Sequence, residues 1–166
     1  ISFNKLPTPL SYYSLHCNSI NVDAAIQITG SHNPSDYNGF KLTYDSKPFY
    51  GEDIQLLYSM ILNEDFIQSK GTLSSYDMIS DYNQMIQSKI NINKRLKVAI
   101  DCGNAAGCIV VPDLYEKFNI DLYKLYCDID GSFPNHHPDP TVDSNLIDLQ
   151  EFVIKNKCDL GLAYDG

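Results

Sequence analysis

Short apolar runs rich in β-branched residues alternate along this chain with stretches whose apolar positions fall three or four apart. The runs predict strands and the wider spacing predicts helices. Ala24 to Thr29, "AAIQIT", reads as a buried strand, and Phe40 to Tyr44, "FKLTY", as a second strand. Asn38-Gly39 just before the second run supplies the positive φ angles of a tight turn. Pro7-Thr8-Pro9 opens a helix over residues 9 to 17, since proline suits a first turn. In Glu52 to Leu62, Ile54, Leu57, Tyr58 and Ile61 share one helical face. The polar run Ser69 to Ser75 reads as a connector, and a further helix spans about Tyr76 to Ile90.

From Lys97 onward the pattern becomes a regular alternation. Lys97 to Asp101, "KVAID", predicts a strand, followed by a turn and a helix near Ala105 to Phe118. Ile120 to Tyr126 predicts the next strand, and a long Pro/His/Asp loop leads to a helix from about Ser144 to Asn156. Cys158 to Tyr164 completes the series as a strand. Strand-helix-strand-helix-strand implies parallel neighbours joined by crossovers. The expected fold class is therefore α/β, two incomplete α/β domains with mixed or parallel sheets flanked by helices. Their expected extents are 1–76 and 77–166.

Composition narrows the function classes. The chain has 166 residues, 43% of them apolar and 20% charged, as in a folded globular protein. Its start at Ile1 and its stop at Asp165-Gly166, directly after a strand-like run, lead us to expect a piece of a longer polypeptide. No apolar run reaches the roughly 20 residues that a membrane span needs. The net charge of −9, with Arg95 the single arginine, argues against a nucleic-acid partner. Five scattered cysteines (Cys17, Cys102, Cys108, Cys127 and Cys158) include no Cys-x-x-Cys pair. That pattern favours free, mostly buried thiols and a cytoplasmic address over a disulfide frame.

The chemistry gathers in residues 28–41, "ITGSHNPSDYNGFK", where Ser31, His32 and Lys41 occupy one turn-rich loop. A plain turn serine is the simple alternative. A hydrolase nucleophile elbow is excluded, because Thr29 and Asn33 stand where glycines would be needed. Pro34 likewise disqualifies Asn33-Pro34-Ser35 as a glycosylation signal. What survives is a loop whose amides, imidazole and lysine stabilise an anion on Ser31. A phosphoserine there would carry about −1.5 to −2 charges. Among other candidates, His136, His137 and Asp139 have metal-binding side chains, but adjacent histidines diverge and two prolines shape the loop. "DCGNAAG", Asp101 to Gly107, lacks both Gly-x-Gly-x-x-Gly and a Walker lysine, and reads as a tight strand-to-helix turn.

"TGSHNPSDYNGFK" closely resembles the phosphoserine loop of the α-D-phosphohexomutases, above all their bacterial phosphomannomutase/phosphoglucomutase branch. Pro7-Thr8-Pro9, "DCGNAAG", "GSFPNHHPDP" with Asn145-Leu146, and "DLGLAYDG" resemble further family segments in the same order. The resemblance implies an isomerase that interconverts hexose 1-phosphate and hexose 6-phosphate through a phosphoserine and a hexose 1,6-bisphosphate. It implies Ser31 as the phosphoserine, with His32 and Lys41 as further catalytic residues. One Mg²⁺ would be held by Asp165 and by the phosphate on Ser31. Partners would be small hexose phosphates, with neither nucleic acid nor membrane, in a monomer. The rest of the metal loop, the sugar-recognition loop and the phosphate-binding loop of the family have no counterpart in the chain. On that basis the piece alone is expected to be inactive. Gly30 stands where alanine is commoner, and Asp143-Ser144-Asn145 where an acidic residue usually precedes Asn directly. Two alternatives remain: a phosphoglucosamine mutase, disfavoured by Phe40 and the His-His-Pro-Asp-Pro loop, and a non-catalytic sugar-phosphate-binding module.

Overall fold

The structure, a computed structural model, describes residues 1–31, 33–34 and 36–166. Its first unit begins with α1 (Thr8–Ser14), which follows an extended N-cap, Pro7 at φ −70 and ψ 151, and has Pro9 in its first turn, ending three residues before the expected limit. Strands β1 (Ala24–Ile28), β2 (Phe40–Tyr44) and β3 (Lys47–Pro48) follow. They form an antiparallel sheet in the order β1-β2-β3, with Ile28 opposite Phe40 and Ala24 opposite Tyr44. Helix α2 (Glu52–Leu62) carries Glu52 and Asp53 in its first turn, where negative charge complements the helix dipole.

One sequence-based expectation needs correction here. β1 is not a buried strand: Ala25 is enclosed, but Ile26 and Ile28 are 63% and 62% exposed. Alternation along the strand sends Ala25 and Gln27 toward α1 and the isoleucines to the opposite face. That face, continued by Phe40 and Tyr44 on β2, is uncovered among the described residues. The apolar stripe of α2 is covered only in part, with Ile54 and Leu57 half-buried but Tyr58 57% and Ile61 52% exposed. A hydrophobic pattern shows which face can be buried, while burial itself needs a second layer.

Helix α3 (Met78–Lys89) starts at Asp77, whose side chain accepts the Ser80 amide at 3.1 Å and the Ser80 hydroxyl at 2.6 Å. These hydrogen bonds hold the Asp77 carboxyl below its ordinary pKa. α3 packs on α1 through a core of Leu6, Leu10, Cys17, Met78 and Val110. Tyr13 meets Tyr82 edge to face across the two helices at 5.4 Å.

The second unit is a parallel sheet in the order β5-β4-β6, from β4 (Leu96–Asp101), β5 (Ile120–Leu125) and β6 (Leu160–Ala163). Val98 lies opposite both Leu122 and Leu160. The central strand is the most enclosed element, with Ala99 and Ile100 fully buried, as its unbroken apolar run requires. Helix α5 (Ile147–Asn156) crosses back to β6 after a 3-10 turn at Asp143–Leu146. The helix expected over Ala105 to Phe118 divides into a 3-10 turn, Ala106–Ile109, and a short α4 (Val111–Tyr115). Pro112 explains the division: it lacks an amide hydrogen and fits a first turn, so the helix restarts there. All five cysteines are free thiols.

Ile100 anchors this sheet. Ile100→Ala is expected to lower the unfolding free energy by about 2–5 kcal/mol, because a fully enclosed side chain leaves a cavity. Equilibrium denaturation in urea measures the loss, and a change below about 1 kcal/mol would contradict this account of the core.

Candidate active site

The β1–β2 connection carries Ser31 shortly after the end of β1. The Thr29 amide donates to the Gly39 carbonyl at 2.9 Å and closes the loop at its base. Within the loop the Asn33 amide reaches the Gly30 carbonyl at 3.0 Å, and the Tyr37 amide reaches that of Pro34 at 2.9 Å. A Cβ at Gly30 would stand 2.9 Å from the Tyr37 carbonyl oxygen, so the crossing is as close as it is because the residue is glycine. Ser31 itself sits in left-handed backbone at φ 54, uncommon for a residue with a side chain. Its amide donates to Thr29 Oγ1 at 2.8 Å, which helps to hold that conformation. His32, the other residue singled out in this loop, lies outside the described residues.

Lys41 is placed by strand register. It pairs with Gln27, and the pleat turns it to the face opposite Phe40, Leu42 and Tyr44. Asp165 arrives from the other unit, just beyond β6. Ser31, Lys41, Asp165 and Gly166 all line one cleft of about 730 Å³ between the two units. Ser31 Oγ lies 3.5 Å from the Gly166 carbonyl oxygen. Lys41 is the one cationic side chain on the wall among the described residues, and Asp165 the one carboxylate. Leu10, Val110 and Tyr164 supply apolar wall. Ser31 and Lys41, from one loop and the strand after it, thus line the same cleft as the distant Asp165: a half-buried hydroxyl, one exposed cation and one exposed carboxylate.

The described residues contain no group of three His, Cys, Asp or Glu side chains able to hold a metal ion. His136, His137 and Asp139 do not converge. Asp139 Oδ1 accepts the Thr141 amide at 2.9 Å and its hydroxyl at 2.6 Å, shaping the loop. His136 turns away to Asp101, with Nε2 3.0 Å from Oδ2. That pairing was missed from sequence; the available signal was an aspartate closing a buried strand. "DCGNAAG" is the tight turn its residues predict, with Gly103 at φ 53 and Asn104 at φ 57.

Comparison with known proteins agrees with this architecture. Residues 80–166 match the family model for phosphoglucomutase/phosphomannomutase, alpha/beta/alpha domain II, and residues 1–68 match that for domain I. The chain belongs to the phosphoglucomutase/phosphomannomutase family. It is 40% identical over 161 residues to a phosphomannomutase/phosphoglucomutase of Pseudomonas aeruginosa, covering 97% of this chain and 34% of that protein. It is 35% identical over 170 residues to a phosphoglucomutase of Neisseria meningitidis serogroup A, covering 100% of this chain and 36% of that protein. The crystal structure of a family protein from Burkholderia thailandensis superposes with a TM-score of 0.90 at 36% identity, over 97% of this chain and 36% of that one. The chain thus spans about a third of the length of the relatives it matches. Family membership implies a metal cofactor in general terms. No helix among the described residues is long and apolar enough to cross a membrane.

Proposed function

We propose that this chain forms the phosphoserine-bearing part of a cytoplasmic, monomeric phosphohexomutase that interconverts hexose 1-phosphate and hexose 6-phosphate. The observation that carries the reading is the meeting of Ser31, Lys41 and Asp165 on one cleft wall. The units themselves are read as 1–76 and 77–166, so the cleft lies at their junction.

The chemistry follows from what each side chain can do. Phosphorylated Ser31 presents its phosphorus to a free hydroxyl of the bound hexose monophosphate. The bond from phosphorus to Ser31 Oγ breaks as a bond to the sugar oxygen forms. The proton leaving the sugar hydroxyl passes to a basic group, and Ser31 Oγ takes up a proton. The bisphosphate then turns over and returns its other phosphoryl group to Ser31, so phosphate has moved between the 1- and 6-positions. Such transfer depends on alignment and on neutralising charge over the phosphoryl oxygens. Lys41 supplies positive charge at the cleft and a site through which the proton moves. A role for His32 rests on the resemblance alone.

Asp165 and a phosphate on Ser31 offer the hard oxygen donors that Mg²⁺ prefers, in kind but not in number, so further ligands would come from outside these residues. When bound there, the ion would neutralise phosphoryl charge. The test is direct labelling. The complete gene product, incubated with Mg²⁺ and hexose 1,6-bisphosphate carrying ³²P, is expected to take up one phosphate per chain, mapped by peptide digestion to Ser31. Label elsewhere, or none, would refute the proposal.

A further inference from the structure

One buried polar assembly in the second unit has no part in the phosphoryl-transfer scheme. Asp101 ends β4 with its side chain fully enclosed. Its Oδ1 accepts the Gly103 amide at 2.9 Å, and its Oδ2 lies 3.0 Å from His136 Nε2. A carboxylate removed from water needs such partners, because desolvation without them is costly. The other ring nitrogen of His136, Nδ1, lies 2.9 Å from the His137 carbonyl oxygen. A carbonyl only accepts, so Nδ1 carries a hydrogen. An imidazolium facing a carboxylate then satisfies both ends of the ring at once.

The surroundings favour that charge state. Asp101 faces the ring from β4 and Asp148 adds negative charge from α5. The edge-to-face Tyr126 ring lies 5.3 Å away, beyond the end of β5. Tyr126 donates to Asp148 Oδ2 at 2.6 Å, and this bond pushes its pKa up to about 12, so it stays neutral. Burial alone would lower the pKa of His136. The His137 carbonyl and Asp101 outweigh burial, leaving it above the ordinary value of 6.5.

What the pair holds is the segment that meets the cleft. Pro138, two places along, is fully buried and packed on the turn after β4; a Cβ at Gly103 would stand 2.9 Å from Pro138 Cβ. The Gly166 amide is shared between the Pro138 carbonyl at 2.9 Å and Asp165 Oδ1 at 2.8 Å. Asp101 also accepts the Tyr164 amide at 2.9 Å through its own carbonyl. Asp101 therefore touches the Asp165 segment directly on one side and, through His136 and Pro138, indirectly on the other.

We propose that Asp101 and His136 are positioning residues: their ion pair pins His136–Pro138 so that Gly166 and the Asp165 carboxylate stay aligned with Ser31. The catalytic side of this inference rests on the function proposed above. The pair is complete while His136 is protonated, below its ordinary value, and is lost as pH rises through the raised value. Alignment therefore weakens on the alkaline side.

Two measurements on the complete gene product test it. In ¹⁵N spectra of the unmodified protein, His136 should carry protons on both ring nitrogens at pH 6, below its ordinary value, and lose one only above that value; a singly protonated ring at pH 6 overturns the ion pair. In mutase assays from pH 6 to 9.5, His136→Gln should lower kcat about ten- to hundredfold while KM stays within about threefold, and should remove the alkaline fall in kcat seen without the substitution. Asp101→Asn should behave alike, and the double variant should lose no more than the worse single one. Wild-type kcat and pH profile in His136→Gln would overturn the positioning role. Failure of the underlying function looks different, as an unmodified protein that turns over no hexose phosphate at any pH. Amide exchange at Gly166 then decides: faster exchange in His136→Gln supports the latch, and unchanged exchange overturns it.

Discussion

Ser31→Ala in the complete gene product is expected to reduce hexose-phosphate turnover by a factor of about 10⁴ or more, equivalent to about 5.5 kcal/mol of transition-state stabilisation. The substitution removes the one atom that the scheme requires as donor and acceptor of the phosphoryl group. Little else should change. Ser31 Oγ makes a long contact of 3.5 Å to the Gly166 carbonyl, while the loop is held by backbone groups and Thr29 Oγ1. Alanine also bears the same Cβ in the left-handed conformation at φ 54, so no new backbone strain enters. The variant should therefore fold with an unchanged melting temperature, bind bisphosphate and take up no label. Turnover within tenfold of the unmodified enzyme would mean that the phosphoryl group travels by another route.

The sequence was most legible where local signals agree. Phe40–Tyr44 and Glu52–Leu62 have their predicted limits, the helix with two acids in its first turn, but Asn38 and Gly39 before the strand do not take the positive φ angles expected of them. β3 escaped detection because Lys47–Pro48 is too short for periodicity and contains a proline. The burial of β1 was misjudged because a short apolar run does not reveal whether a second layer lies over the sheet. The site divides in the same way. Ser31 and Lys41 stand out because their loop concentrates chemical groups within a few residues. Asp165 has no local distinction and was found by resemblance. The Asp101–His136 contact joins positions separated by 35 residues, and only the packed β4–β5 edge brings them together.

Lys41→Met is the second large effect, with kcat expected to fall about 10²- to 10³-fold in the complete gene product. The chain is acidic overall, with a net charge of −9, so a doubly charged phosphoserine enters an unfavourable field unless a cation stands close by. Lys41 is that cation on the described cleft wall. Its direction is fixed by the pairing of Gln27 with Lys41, since a one-residue slip of β2 would send it to the opposite face. Methionine keeps the unbranched stem and removes the charge and the protons. Lys41→Arg separates the two functions: a guanidinium keeps the charge but cannot give up its proton in this pH range. If Lys41 serves only as a charge, Arg should restore kcat to within about tenfold. If it also moves the proton, Arg should restore KM and the level of phosphorylated Ser31 while kcat stays low. A methionine variant with unimpaired kcat and KM would exclude both roles.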